Sequence, residues 1–160
     1  MLLLLFLFGL ALAAPPTSDE PDLLVQHESC PEFWFSFNDR CYNYVATPKT
    51  WIDAELYCVS QRANLVSIHS LEEQAFVKSL VKSHDPTQKP AWIGLSDVHS
   101  SGGSWSDGTA VNFTFWCPGE PNNARGIENC AHMNWCSLLR WNDTPCSNSY
   151  AFVCATRICY

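Results

Sequence analysis

Short runs of aromatic and β-branched residues recur along the chain and predict β-strands. They cover residues 33–35, 41–45, 64–68, 91–95 and 150–154. The fourth run is continuously apolar, which is typical of a buried strand. Between Asp97 and the last run the sequence is rich in Gly, Asn, Pro and Ser, so we predict irregular loops there. The stretch 96–130 is longer than a simple connection between two secondary-structure elements, and loops of this length are usually functional.

The first predicted helix lies between the second and third strands. Thr50 is suited to cap it, because Asp53 follows three residues later in an imperfect capping box. Apolar side chains then recur at near-helical spacing, at Ile52, Leu56 and Val59. These features predict a helix that begins directly after Thr50.

A second helix is predicted to begin at Ser70. Glu73 lies three residues further on and completes a full S-x-x-E capping box. An apolar stripe follows, formed by Phe76, Val77, Leu80 and Val81. The sequence His84-Asp85-Pro86 marks the end of the helix. Two early helices, strands at both ends and a long irregular middle together predict an α+β fold.

The N-terminus carries a long apolar run over residues 2–14. The run is shorter than the roughly 20 residues that span a bilayer, and it ends in the A-x-A pattern Ala11-Leu12-Ala13. We therefore predict that residues 1–14 are a secretory signal peptide, with a buried helix as the alternative. Residues 15–29 are Pro-rich and acidic and are predicted to be a flexible lead-in or propeptide. Because no second long apolar run follows, we predict no membrane span.

Composition and charge narrow the function classes. Of the 160 residues, 47% are hydrophobic and 16% are charged, which is the composition of a globular protein. The net charge of −7 argues against nucleic acid as a partner. Nine cysteines favour an oxidising compartment, so together with the signal peptide they predict a secreted, extracellular protein with disulfide bonds. The sequence contains no C-x-x-C pair, which argues against a zinc site.

Four short motifs in the second half of the chain resemble the C-type lectin-like domain family. They are, in order, Trp92-Ile93-Gly94-Leu95, Trp105-Ser106-Asp107-Gly108, Glu120-Pro121-Asn122 and Trp141-Asn142-Asp143. The resemblance extends from Cys30 to Cys154, and the chain is similar to the family's soluble fish lectins and type II antifreeze proteins. It implies a domain over residues 30–160 with an α+β fold. That fold has two helices, two small antiparallel sheets and a long loop region that carries the ligand site.

The cysteines can pair in many ways, and their spacing alone does not choose among them. The resemblance implies the pairs Cys30–Cys41, Cys58–Cys154 and Cys130–Cys146, with Cys117–Cys136 as the fourth. Cys159 is then left over, next to the C-terminus. An exposed thiol in an oxidising compartment tends to find a partner, so we predict a disulfide-linked homodimer through Cys159. A thiol that is free or capped by a small molecule is the alternative.

Five oxygen-bearing side chains resemble the calcium ligands of the family. They are Glu120, Asn122, Glu128, Asn142 and Asp143. Carboxylate and amide oxygens are the ligands that Ca²⁺ prefers in proteins. Solvated loop residues are the alternative, but the resemblance matches at all five positions. It also implies a cis peptide bond before Pro121, which would turn the side chains on either side of the bond toward one point.

The resemblance implies that these same five residues also bind carbohydrate. A calcium ion with unfilled positions can take two neighbouring hydroxyl oxygens of a sugar, while the carboxylates accept and the amides donate hydrogen bonds. In the family, the order Glu-Pro-Asn goes with mannose, N-acetylglucosamine and fucose, and Gln-Pro-Asp goes with galactose. Residues 120–122 have the first order. The chain therefore resembles a mannose-type lectin that recognises cell-surface or microbial glycans in innate immunity.

Two further functions on the same scaffold stay open. One is a calcium-dependent type II antifreeze protein, and the other is a lectin-like domain that binds protein instead of sugar. An enzyme is not predicted, because the sequence has no Gly-x-Ser-x-Gly motif, no P-loop and no evident nucleophile–base pair. The sequence Asn112-Phe113-Thr114 predicts N-glycosylation at Asn112. The histidines, at positions 27, 69, 84, 99 and 132, share no spacing and are predicted to be surface residues.

Overall fold

The computed structural model describes residues 30–158, and these residues hold two helices and eight strands. The predicted signal peptide, the predicted lead-in and Cys159 lie outside the described residues. The helices are α1 (Trp51–Ser60) and α2 (Leu71–His84). The strands are β1 (Phe35–Phe37), β2 (Arg40–Lys49), β3 (Asn64–Leu65), β4 (Ala91–Ser96), β5 (Ser104–Trp105), β6 (Cys130–Trp135), β7 (Arg140–Thr144) and β8 (Tyr150–Arg157). The predicted α+β fold is confirmed, and neither described helix is long and apolar enough to cross a membrane.

The eight strands form one sheet in two parts. In the first part, β2 pairs antiparallel with β1 and β8, and β8 also pairs with β3. In the second part, β4 pairs antiparallel with β5 and β6, and β6 pairs with β7. A short parallel pairing places Ala91 and Trp92 of β4 beside Ala151 and Phe152 of β8. The two small antiparallel sheets that the resemblance implies are thus joined by this pairing.

Helix α1 is present where its cap and apolar spacing predict it, but it buries a different face. The side chain of Thr50 accepts the backbone N–H of Asp53 and caps the helix. The apolar residues Ile52, Leu56 and Val59 are 56%, 59% and 51% exposed. The buried face instead presents the small residues Ala54 and Cys58. Small side chains allow the close approach at which Cys58 bonds to Cys154 of β8, with their Cα atoms 5.5 Å apart.

Helix α2 helps to fix the strand that carries part of the candidate site. Its side chains Val77, Leu80 and Val81 are buried in the main apolar core. One turn from its start, the Gln74 side-chain oxygen accepts the Trp141 indole N–H at 2.8 Å. Trp141 belongs to β7 and is fully buried. The following residues of β7 are therefore held at a defined position relative to the core.

The loop prediction for the segment between β4 and β8 is wrong in part, because β5, β6 and β7 lie there. Five consecutive residues of β6 are buried. They lie between β4 and β7, so β6 lacks the alternating pattern of a half-buried strand. Strand β7 contains Asn142 and Asp143, and Asn and Asp are residue types that are uncommon in strands. Pairing with neighbouring strands outweighs these local preferences.

Four disulfides fasten the described residues. They are Cys30–Cys41, Cys58–Cys154, Cys117–Cys136 and Cys130–Cys146. These are the same pairs that the resemblance implies. Cys117–Cys136 fixes the start of the segment before β6 to the turn between β6 and β7. Cys130–Cys146 fixes the end of that segment to the turn after β7. Most of the candidate site residues lie in that fastened segment.

Candidate functional site

The candidate site is formed by the loop 117–129 and the end of β7. Backbone hydrogen bonds attach the start of the loop to β7, because the N–H of Cys117 donates to the Trp141 carbonyl at 2.8 Å. The peptide bond between Glu120 and Pro121 is cis. A short 3₁₀ turn, Ala124–Gly126, follows. This arrangement brings loop residues far from β7 in sequence next to its last residues.

Asp143 anchors the loop to the strand. Its side chain is fully buried, and its Oδ1 accepts the backbone N–H of Asn122 at 3.1 Å. Its Oδ2 accepts two donors at 2.8 Å, the backbone N–H of Asn123 and the Nε2 of His99. Burial alone would raise the pKa of Asp143, but hydrogen bonds from Asn123, His99 and Asn122 lower it below the usual value. The carboxylate is therefore held in its charged form.

Three further predicted ligands are linked to this anchor through the loop. The Asn122 side-chain amide donates to Glu120 Oε1 at 3.1 Å. The backbone N–H of Ala124 donates both to the Asn122 amide oxygen at 3.0 Å and to Glu128 Oε2 at 2.8 Å. The Glu128 N–H in turn donates to the Asn123 side-chain oxygen at 3.2 Å. Local hydrogen bonds thus arrange the loop so that its acids and amides stand side by side.

The electrostatics of Glu120 indicate a place for a cation. The pKa of Glu120 is raised above its usual value by burial and by the hydrogen bonding and charge of Asp143. Its Oε2 is buried, and no described residue donates a hydrogen bond to it. A buried carboxylate oxygen without a donor is costly unless another group satisfies it. A bound divalent ion would satisfy Oε2 and would also offset the repulsion between the two carboxylates.

Asn142 is oriented by a buried histidine. Its amide nitrogen lies 3.2 Å from His132 Nε2, and His132 Nδ1 lies 3.0 Å from the Met133 carbonyl oxygen. Since only a protonated Nδ1 can donate to that carbonyl, Nε2 accepts from the Asn142 amide. Burial lowers the pKa of His132, which favours the neutral ring that this arrangement requires. The Asn142 amide oxygen is consequently left for another partner.

Four of the five predicted ligands are therefore linked by hydrogen bonds. Hydrogen bonds link Glu120, Asn122 and Asp143 directly, and Glu128 joins them through Ala124. Within residues 30–158, no hydrogen bond connects Asn142 to the other four. In the same part of the chain, no three His, Cys, Asp or Glu side chains are grouped as metal ligands would be. The donor set of three carboxylates and two amides, together with the orphaned Glu120 oxygen, nevertheless fits calcium.

Sequence reasoning missed two residues next to the site. His132 is only 1% exposed, so the prediction that the histidines are surface residues is wrong for His132. His99 is exposed as predicted, but it also bonds to Asp143. Neither histidine has a recognisable local signal, because each contacts a residue that is distant along the chain. His99 lies 44 residues from Asp143, and His132 lies 10 residues from Asn142. The predicted glycosylation residue Asn112 is exposed, and its side-chain oxygen lies 3.0 Å from His69 Nδ1.

Comparisons with known proteins agree with the fold and the motifs. The family model described as "Lectin C-type domain" matches residues 47–156. Lactose-binding lectin l-2 of Anguilla japonica is 44% identical over 135 residues, which are 81% of this chain and 80% of that protein. The type-2 ice-structuring protein of Osmerus mordax is 43% identical, over 79% of this chain and 70% of that protein.

The fold is likewise similar to solved structures. The structure of herring type II antifreeze protein matches with a TM-score of 0.74 and 38% identity, and it covers 81% of this chain and 100% of that one. The matched family model spans most of the described domain, and the aligned relatives include both a lectin and an ice-structuring protein. The chain therefore belongs to the C-type lectin domain family.

Proposed function

We propose that this chain is a calcium-dependent carbohydrate-binding protein whose site consists of Glu120, Asn122, Glu128, Asn142 and Asp143. The observation that carries the proposal is the buried Glu120 Oε2, which lacks a hydrogen-bond donor on a carboxylate that Asn122 links to the buried Asp143. Membership of a lectin family supports binding over catalysis.

The residues of the loop have complementary roles in this proposal. Bound calcium would supply open coordination positions for two neighbouring sugar hydroxyl groups. Glu120 and Glu128 would each accept a hydrogen bond from a hydroxyl, because a charged carboxylate has only acceptors. Asn122 and Asn142 would donate through their amide N–H groups. Asp143 would hold the loop in place through its bonds to the backbone of Asn122 and Asn123.

The sugar class follows from the order of acceptor and donor in the loop. Glu120 precedes and Asn122 follows Pro121, and we propose a preference for mannose, N-acetylglucosamine and fucose on that basis. A relative that is 44% identical is named a lactose-binding lectin. Galactosides are therefore the competing class, and any binding test has to include them.

The decisive experiment is binding of the full secreted chain to mannose–agarose and to a glycan array, with calcium and with EDTA. We expect retention that requires calcium, is released by EDTA and favours mannose over lactose. Glu120→Gln should lose retention, because the site loses one of its three charges. The matched control Glu32→Gln changes an exposed acid outside the site and should leave retention intact. Retention that survives EDTA would contradict the proposal.

Exchanging the two polar side chains around Pro121 should change the sugar preference. We expect Glu120→Gln with Asn122→Asp to shift preference from mannose toward galactose, because the swap preserves the charge but reverses the donor–acceptor order. The ratio of mannose to galactose inhibition constants in a competition assay measures the shift. An unchanged ratio would show that the order does not set the preference.

Ice binding is a second candidate function. It is favoured by the 43% identity to an ice-structuring protein and by the structural similarity to herring type II antifreeze protein. Thermal hysteresis measured beside the glycan array separates the candidates. Hysteresis without calcium-dependent sugar binding would favour ice, and neither activity would favour a protein ligand.

We also propose that the protein is secreted, as the apolar residues 1–14 and the four disulfides suggest. Asn112 is exposed and is proposed to carry an N-linked glycan. A disulfide-linked homodimer through Cys159 stays a prediction. Two sites on one molecule would raise avidity for the microbial or cell-surface glycans that we propose as ligands in innate defence.

A further inference from the structure

We propose that His99 is a positioning residue for the calcium ligand Asp143. Its Nε2 lies 2.8 Å from Asp143 Oδ2, and its side chain is 25% exposed whereas that of Asp143 is fully buried. The inference rests on the proposed function and adds a residue that lies outside the five predicted ligands. It concerns the hydrogen bond that His99 donates, not its charge.

The geometry around Asp143 explains why that bond matters. Oδ2 accepts the His99 Nε2–H and the Asn123 N–H, both at 2.8 Å, so both of its lone pairs are used. Oδ1 accepts the Asn122 N–H at the longer distance of 3.1 Å. Two short bonds on Oδ2 fix the plane of the carboxylate, which leaves Oδ1 as the oxygen able to bind an ion. Removal of one bond would allow the carboxylate to rotate.

The backbone that carries His99 is itself well anchored. His99 lies in the turn after β4, where the Ser100 N–H donates to the Asp97 carbonyl at 2.8 Å and the Gly103 N–H donates to the Ser100 carbonyl at 3.0 Å. The neighbouring Val98 is 5% exposed and packs in the main core. The imidazole is therefore presented to Asp143 from a fixed turn. Support of a metal ligand requires such rigidity, because a loosely held donor would not orient the carboxylate.

Calcium titration calorimetry on four variants tests the inference. Loss of a group that supports a metal ligand weakens metal binding by about 10- to 100-fold. We expect such a loss for His99→Ala and for His99→Phe, which keeps a ring but has no donor. We expect His99→Gln to retain most of the affinity, because its amide nitrogen can reach Oδ2. Ser100→Ala, in the same turn, is the matched control and should behave as the wild type.

A second measurement needs no calcium. Nitrogen-15 NMR of the imidazole in EDTA should show a protonated, exchange-protected Nε2 that disappears in the Asp143→Asn variant. Wild-type affinity in His99→Phe, or tighter binding in His99→Ala, would overturn the inference, the second by making His99 a competitor of the ion. Failure of the wild type to bind calcium would overturn the proposed function and the inference together. A wild type that binds calcium beside a His99→Phe variant of equal affinity would overturn only the inference.

Discussion

Replacement of Asp143 by asparagine should weaken calcium binding by about 100-fold or more and abolish calcium-dependent retention on mannose. Groups that merely support a metal ligand are worth about 10- to 100-fold in affinity, so loss of a charged ligand should cost at least as much. The substitution removes a charge that the surrounding donors stabilise, as the lowered pKa of Asp143 indicates.

The hydrogen bonds of Asp143 make asparagine a poor substitute despite its similar shape. One carboxylate oxygen faces the N–H of Asn122, and the other faces donors from Asn123 and His99. An amide NH₂ would meet an N–H donor whichever way it turned, and each unsatisfied buried group costs about 1–3 kcal/mol. We therefore expect the loop 120–128 to loosen as well as to lose the ion.

Calcium titration calorimetry and mannose–agarose retention measure the effect. Asp107→Asn is the matched control, because Asp107 also has a lowered pKa, with hydrogen bonds from Ser67 and Thr109 outweighing its burial. None of the hydrogen-bond partners of Asp107 belongs to the site. The control should lower the melting temperature without changing calcium affinity. Calcium affinity of Asp143→Asn equal to that of the wild type would exclude Asp143 as a ligand.

Removal of the Cys58–Cys154 disulfide should produce the largest loss of stability among the four disulfides. It closes 96 residues, and the chain-entropy model assigns a bridge of that span about 4–5 kcal/mol. Both cysteines are fully buried between α1 and β8. We expect the double variant Cys58→Ala/Cys154→Ala to reduce the free energy of unfolding by about that amount, measured by denaturant titration.

The Cys30–Cys41 disulfide provides the matched comparison. It closes only 11 residues, for which the same model gives about 3 kcal/mol. The double variant Cys30→Ala/Cys41→Ala should therefore be less destabilised than the variant of the long bridge. An equal loss for both pairs would contradict the dependence on loop length and would point to packing around the sulfur atoms instead.

The sequence alone was sufficient to predict those features of the fold and the site whose signals are local. Both helices begin beside their predicted caps, because the side chains of Thr50 and Ser70 bond to backbone N–H groups three residues away. The predicted ligands from Glu120 to Glu128 share one loop, so their proximity in sequence becomes proximity in space. Family resemblance identified all five predicted ligands and implied the cysteine pairs, which spacing by itself did not specify.

The tertiary structure decided the features that depend on distant residues. Strands β6 and β7 form because they pair with each other and β6 also pairs with β4, although their own residues do not predict strands. Helix α1 buries Ala54 and Cys58, because contact with β8 favours small side chains over the larger apolar ones. His99 meets Asp143 across 44 residues. No local pattern encodes such a contact, since it exists only once the sheet and its turns have brought the two side chains together.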